Sequence, residues 1–182
     1  MIDAPPPPQG VAVSNDEMRS RLLAASWFLI AYELLKGEIV DRPQELFRQG
    51  WTEGGPIMDP RYHTEVRSLS EYEFDASLLW LQRQGALTEN EVADAHRVRS
   101  YRNRIAHELF GMLMTPDQAI DQSLLEMTAT LITRLGRYWA RQPLPPFGPV
   151  APETPDNEIF SSKMFIVGFF AQVAGLTSAK GH

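Results

Sequence analysis

QAIDQSLLEMTATLITRLGRYWAR, residues 118–141, decides the fold class. Its large side chains stand at Ile120, Leu124, Met127, Leu131, Leu135 and Tyr138, in steps of four, three, four, four and three. Those steps keep side chains on one face of a helix and leave little room for the alternation a strand requires. Thr115 followed by Pro116 offers a start just upstream, because a proline in the first turn gives up only an N–H that has no helical partner anyway. A helix from there to about Arg141 is expected.

The flanking sequence reads the same way. Thr88 with Glu91 has the spacing of a capping box and predicts a helix over 89–110, broken at Gly111. Ser70 with Glu73 opens another, which runs to about Gln84 and ends at Gly85. Ser14 with Glu17 opens the first helix, where Leu22, Leu23, Trp27, Phe28, Ile30, Leu34 and Leu35 cover most of the circumference. A helix apolar nearly all round is surrounded by protein, in a bundle core or a dimer interface. Gly37 loosens its end, and DRPQELF (41–47) adds a short turn or helix. The stretch from Gln49 to Arg67 carries Gly50, Gly54, Gly55, Pro56 and Pro60 and reads as a long loop. Thr154-Pro155-Asp156 opens a last apolar helix, whose MFIVGFFAQVA (164–174) suits core or dimer packing, or else docking on a partner. No period-two pattern is sustained anywhere. The expectation is an all-α bundle of four core helices plus a tethered C-terminal helix.

Composition frames that bundle. Of fourteen prolines, four form the run Pro5–Pro8 and six crowd between Pro143 and Pro155. They divide the chain into a disordered tail (1–13), a helical domain (14–141), a proline-rich linker (142–155) and a C-terminal helix (156–182). There is no cysteine, which removes disulfides, thiolate catalysis and Cys-based metal sites. The four histidines are scattered at 63, 96, 107 and 182, so neither a metal nor a cofactor is expected. The net charge of −6 does not advertise nucleic acid; fourteen arginines against three lysines suit phosphate or carboxylate partners, a bias that genome base composition also produces. The apolar runs Leu22–Leu35 and Met164–Ala174 fall short of the roughly 20 residues of a spanning helix. No export signal is visible, and a cytoplasmic protein without membrane contact is expected.

Chemistry concentrates in HRVRSYRNRIAHEL, residues 96–109. At about 100° per residue, Val98, Tyr101, Ile105 and Leu109 form a core-facing stripe. His96, Arg99, Ser100, Asn103 and His107 share another face, with Arg102 at its border and Arg104 beyond His107. Small residues near this face (Ala93, Ala95, Ser100, Ala106) let a second surface approach closely. The arrangement suits a phosphodiester: a histidine exchanges protons near neutral pH, and an arginine holds a phosphate through two parallel hydrogen bonds. Asn103 stands one turn before His107, within reach of its imidazole. Arg99, Arg104 and His96 are candidate substrate-binding groups. A second acid or base is missing from one chain, and two copies facing across a two-fold axis supply it.

Plainer roles stand beside these. His107 can cap the end of its helix. Arg97, Arg99 and Arg104 can pair with Glu91, Asp94 and Glu108. Four acidic residues between 89 and 110 cancel four arginines. Glu33 interrupts the apolar first helix, and Arg102 is a partner for it.

Arg102, four residues, then His107, written RNRIAH, resembles the Arg-x4–6-His signature of the HEPN superfamily, and polar Asn103 fits its pattern. The likeness covers about residues 15–141 in helix order and in the placement of the motif late in the third helix. It implies a helical bundle that dimerises. It also implies a metal-independent endoribonuclease of a toxin, abortive-infection or defence system, met by an antitoxin or regulatory partner. Arg102 would then stabilise the scissile phosphate, His107 transfer protons and Asn103 orient His107. Leu109 stands where some toxin members carry a tyrosine. The Arg-Asn…Ala-His phrase also looks like the mannitol-repressor-like helical regulators, and that likeness implies a non-catalytic module.

Overall fold

Ser14 accepts a hydrogen bond from the Glu17 amide at 3.2 Å and opens the first helix, α1 (Asn15–Lys36). A computed structural model describes residues 13–115, 120–143 and 149–173, with side chains as far as Phe169. Nearly all of the expected tail, part of the linker and the last nine residues lie outside that description. At Gly37 the helix widens into a π-helical turn (Gly37–Asp41) and resumes as α2 (Arg42–Phe47). Three further core helices follow: α3 (Glu73–Arg83), α4 (Glu89–Met114) and α5 (Gln122–Ala140). The helical reading holds, with one small sheet added to it.

Helices α1, α4 and α5 pack on one another, and α3 lies against α4 and the π-helical turn. Phe28, Leu35, Leu81, Ile105, Ile132 and Leu135 are sealed at the centre. The Trp80 and Trp139 rings stack there at 6.2 Å. Only one side of α1 is covered, because Leu22, Leu23 and Ile30 stay 40–47% exposed on the other.

The loop expected between Gln49 and Arg67 is instead a β-hairpin followed by short helical turns. β1 (Arg48–Thr52) pairs antiparallel with β2 (Gly55–Met58), Gly50 opposite Ile57. Gly55 reverses the chain at φ +119°, which an L side chain rarely adopts, so the glycine that signalled a loop serves the turn. The strands are short and mostly exposed, and so carry no alternating apolar pattern. A π-helical turn (Tyr62–Val66) then buries Tyr62 and Val66 in the core. Tyr62 donates to Glu73 at 3.1 Å, and burial together with that carboxylate pushes the phenol up to about 12.

Gly111 does not break α4, which continues to Met114. Met112 is buried, and the buried Arg21 of α1 donates to the carbonyls of Met112 (3.2 Å) and Thr115. A guanidinium on the terminal carbonyls outweighs the roughly 1 kcal/mol helix penalty of one glycine. The start expected at Thr115-Pro116 falls partly on residues 116–119, outside the description, and α5 as described begins at Gln122. Asp121 caps it, its Oδ1 accepting from the Ser123 amide (2.9 Å), the Ser123 hydroxyl (2.7 Å) and the Leu124 amide (3.4 Å). The Tyr101 hydroxyl of α4 accepts from the Asp121 amide at 2.7 Å, which ties the cap to the bundle.

The Ser123 hydroxyl, opposed by burial and aided by the Leu124 and Ser123 amides, holds the Asp121 carboxyl below the usual carboxylate range. Its folded pKa lies below its unfolded value, so its stabilisation is full above the unfolded pKa and lost as pH falls through the folded one. Asp121→Ala is expected to cost about 1 kcal/mol at pH 7, lowering Tm by roughly 2–4 °C. The gap between wild type and variant should narrow as pH falls through the lowered folded pKa of this carboxyl. Calorimetric scans of both proteins across pH 2–7 check this.

The last helix also begins later than Thr154-Pro155-Asp156. Those residues lead into a 3-10 turn (Asp156–Glu158), and α6 (Ser162–Val173) follows, with Ser161 accepting from the Met164 amide at 3.2 Å. The Val150 amide donates to the Ala140 carbonyl at 2.8 Å, and Arg141 binds the Thr154 carbonyl and Asp156, both at 2.9 Å. The described ends of the linker are thus fastened to α5. Ile159 and Val167 are buried, whereas Phe160, Phe165 and Phe169 remain exposed.

Candidate functional site

α4 owes its direction to both ends. Thr88 and Glu91 complete the expected capping box: Glu91 Oε2 accepts from the Thr88 amide at 2.7 Å, and Thr88 Oγ1 from the Glu91 amide at 3.3 Å. Ala95, Val98, Tyr101, Ile105 and Met112 are buried along one side, and Leu109 packs half-buried beside them. Tyr101 meets the Phe28 ring edge-on at 4.9 Å and belongs to the core.

With that side fixed, His96, Ser100, Asn103 and His107 are all exposed on the opposite one. Ala93, Ala106 and Gly111 are exposed near them, and Phe110 (77%) and Met114 (48%) continue the face towards the helix end. His107 lies two turns before Met114, so it does not cap α4. Neither His107 nor Asn103 forms a hydrogen bond within the described residues, and Asn103 does not hold the imidazole in the isolated chain.

The arginines are distributed differently. Arg102 leans to the α1 side: its Nη2 lies 3.5 Å from Glu33 Oε1 and its guanidinium 5.5 Å from the centre of the Tyr32 ring. Its Nε is enclosed without a hydrogen-bond partner. Glu33 is therefore its partner, as the interrupted apolar helix suggests. Burial raises the Tyr32 phenol above its ordinary range against the pull of Arg99 and Arg102, so the ring stays neutral beneath the cation. Five positions apart on a helix, Arg102 and His107 project about 140° from one another.

Arg99 reaches α3, with Nη1 2.8 Å from Asp75 Oδ1 and its guanidinium 5.0 Å from the Phe74 ring centre. His96 Nδ1 stands 3.8 Å from the same carboxylate oxygen. Arg97 pairs with Asp94 and Arg104 with Glu108, each at 3.2 Å, as the local charge pattern implies. An open depression of about 450 Å³ between α4 and the start of α5 is lined by His96, Arg97, Ser100 and Arg104, with Tyr101 and Leu124 behind them. It thus gathers His96 and Arg104, while Arg99, Arg102, Asn103 and His107 lie outside it. Among the described residues no group of three or more His, Asp or Glu is placed to hold a metal ion.

No family model, curated protein or solved structure matches the chain. No described helix is long and apolar enough to cross a membrane.

Asp75 and Tyr32 escaped the sequence reading. Asp75 is 24 positions from Arg99, so no local spacing joins them. Tyr32 belongs to the apolar run of α1, and only the crossing of α1 with α4 places it under Arg102.

Proposed function

We propose that the chain is an HEPN-like domain whose homodimer cleaves RNA without a metal, in a toxin or defence-type role. The observation that carries the reading is the exposed line His96, Ser100, Asn103 and His107 on α4, with Arg102 held at its flank. In the proposed reaction His107 of one copy takes the proton from a ribose 2′-hydroxyl as that oxygen attacks the adjacent phosphorus. The bond to the 5′-oxygen breaks, and the leaving oxygen takes a proton from the second copy's imidazole. The products are a 2′,3′-cyclic phosphate and a 5′-hydroxyl. Arg102 stabilises the charge that grows on the phosphoryl oxygens, and Asn103 orients the imidazole once the second copy encloses it. Arg99, Arg104 and His96 bind the flanking strand. An antitoxin or regulatory partner silences the domain by covering this face.

Dimerisation is part of the proposal because one straight helix directs Arg102 and His107 apart, and a second copy of α4 supplies the missing groups. Phe110 and Met114, next to His107, are the apolar surface such a copy covers. Phe110→Asp is expected to leave the fold intact and raise the dimer dissociation constant about 30-fold or more, as loss of a central aromatic anchor does. Sedimentation equilibrium across a concentration series reads the effect. A wild-type protein monomeric at every concentration would sink the shared site.

One observation favours a second reading. Arg102 is already engaged by Glu33 and Tyr32, which also suits a structural arginine in a non-catalytic, mannitol-repressor-like regulatory module. The two readings part at His107, whose replacement leaves a scaffold unchanged and disables a nuclease.

A further inference from the structure

The most concentrated positive charge outside α4 lies on α5. Arg134, Arg137 and Arg141 are spaced three and four residues apart and share one helix face with Tyr138. All four line a pocket of about 170 Å³, together with Asp156, Gly85 and Ala86. The two outer arginines are held by the protein. Arg134 Nε donates to the Ala86 carbonyl at 3.1 Å and lies 3.8 Å from Glu91 Oε1. Arg141 binds the Thr154 carbonyl and Asp156, both at 2.9 Å.

Arg137, between them, has no hydrogen bond or ion pair among the described residues, and its Nε is enclosed. Three guanidinium groups against the carboxylates of Glu91 and Asp156 leave one uncompensated positive charge, in a chain whose net charge is −6. Like charges at these spacings repel one another, and a shielded N–H without an acceptor adds a further cost. Unless a ligand relieves them, both penalties persist in the folded protein.

We propose that this pocket is a binding site for a phosphate group, carried by a small phosphate ester or as the free ion, with Arg137 as its principal ligand. Guanidinium N–H groups match phosphate oxygens in pairs, and Arg134 and Arg141 line the same pocket beside Arg137. Tyr138 adds a hydroxyl donor, and burial raises its phenol so that the proton is retained. The volume is well below the roughly 300 Å³ at which sites for whole drug-sized ligands begin, so the pocket takes a single anionic group. From Glu91, beside this pocket, to His107 is about 24 Å along α4, so the phosphate site and the proposed nuclease face stand or fall separately.

Titration of the full chain with inorganic phosphate, followed by calorimetry, is expected to show saturable one-site binding with a dissociation constant on the order of 1 mM. Ribose 5-phosphate and unphosphorylated ribose form the parallel arms. Binding of ribose 5-phosphate identifies an ester as ligand, binding of inorganic phosphate alone identifies the free ion, and ribose should not bind. Arg137→Gln should weaken phosphate binding at least tenfold, whereas Arg97→Gln should leave it unchanged. In the unmutated protein, the Arg137 Nε–H resonance should shift on adding phosphate, a readout that needs no variant. Absence of saturable phosphate binding, or binding indifferent to Arg137→Gln with a stationary Nε–H signal, overturns the proposal.

Discussion

Replacing His107 with alanine is expected to cut RNA cleavage by about two to four orders of magnitude, the usual contribution of a positioned general acid or base. The same change should leave stability within about 0.5 kcal/mol of wild type, because exposed side chains without partners contribute little to folding. His107 is such a side chain: it is solvent-exposed and forms no hydrogen bond in the isolated chain. Activity and stability therefore separate at this position. Arg102→Ala should also lose activity, by about 10²–10³-fold, but with some cost in stability, because its guanidinium covers Tyr32 and faces Glu33. Full cleavage by His107→Ala protein would assign α4 to a scaffold.

Lys163→Ala is expected to destabilise the protein by about 3 kcal/mol, the low end for breaking a buried ion pair, since the lysine itself is partly exposed. Lys163 Nζ lies 2.8 Å from Glu38 Oε1, and Glu38 is only 2% exposed, with its second oxygen enclosed and unpartnered. Without the ammonium that carboxylate is buried alone. The seat is tight around it. A Cβ at Gly37 would fall 2.8 Å from Lys163 Nζ, and one at Gly136 would fall 3.2 Å from both Met164 Sδ and Ser161 Oγ. Trp139 completes the corner by donating Nε1–H to the Glu38 carbonyl at 2.9 Å. Glu38→Met combined with Lys163→Met should recover most of the loss, because a packed apolar pair of similar volume replaces a buried ion pair at little cost. Urea titrations of Glu38→Met, Lys163→Met and the double variant give the coupling directly. Additive effects would show that α6 is not latched through this pair.

Local sequence signals identified what local interactions build. The capping pairs Ser14–Glu17 and Thr88–Glu91, the periodicity of α5 and the division of α4 into buried and exposed sides all follow from neighbours within four residues. Two kinds of feature escape those signals: contacts made by distant residues, and local signals that resemble those of another element. α4 passes Gly111 because Arg21, about ninety positions earlier, reaches its last carbonyls. The hairpin at 48–58 has too few residues and too little burial to alternate, and its glycine and proline content resembles a loop. Thr115-Pro116 looks the better start in the sequence, yet the Asp121 side chain meets the first free amides of α5.

For the candidate site, sequence predicted which groups share the outer face of α4 but not how they are engaged. Arg102 and Arg99 are drawn to Glu33 and Asp75 on neighbouring helices. Those acidic partners offset the arginines, so RNA docked at the proposed site would meet few uncompensated charges. Affinity for RNA should accordingly fall only weakly with added salt, in keeping with the net charge of −6.

Incubation of a mixed RNA pool with purified wild-type protein in EDTA, followed by analysis of the new ends, addresses the proposed chemistry most directly. The expected products carry 2′,3′-cyclic phosphate and 5′-hydroxyl ends, and none form with His107→Ala. Intact RNA, products with other ends, or equal cleavage by the variant would contradict an RNA-cleaving site on this face of α4.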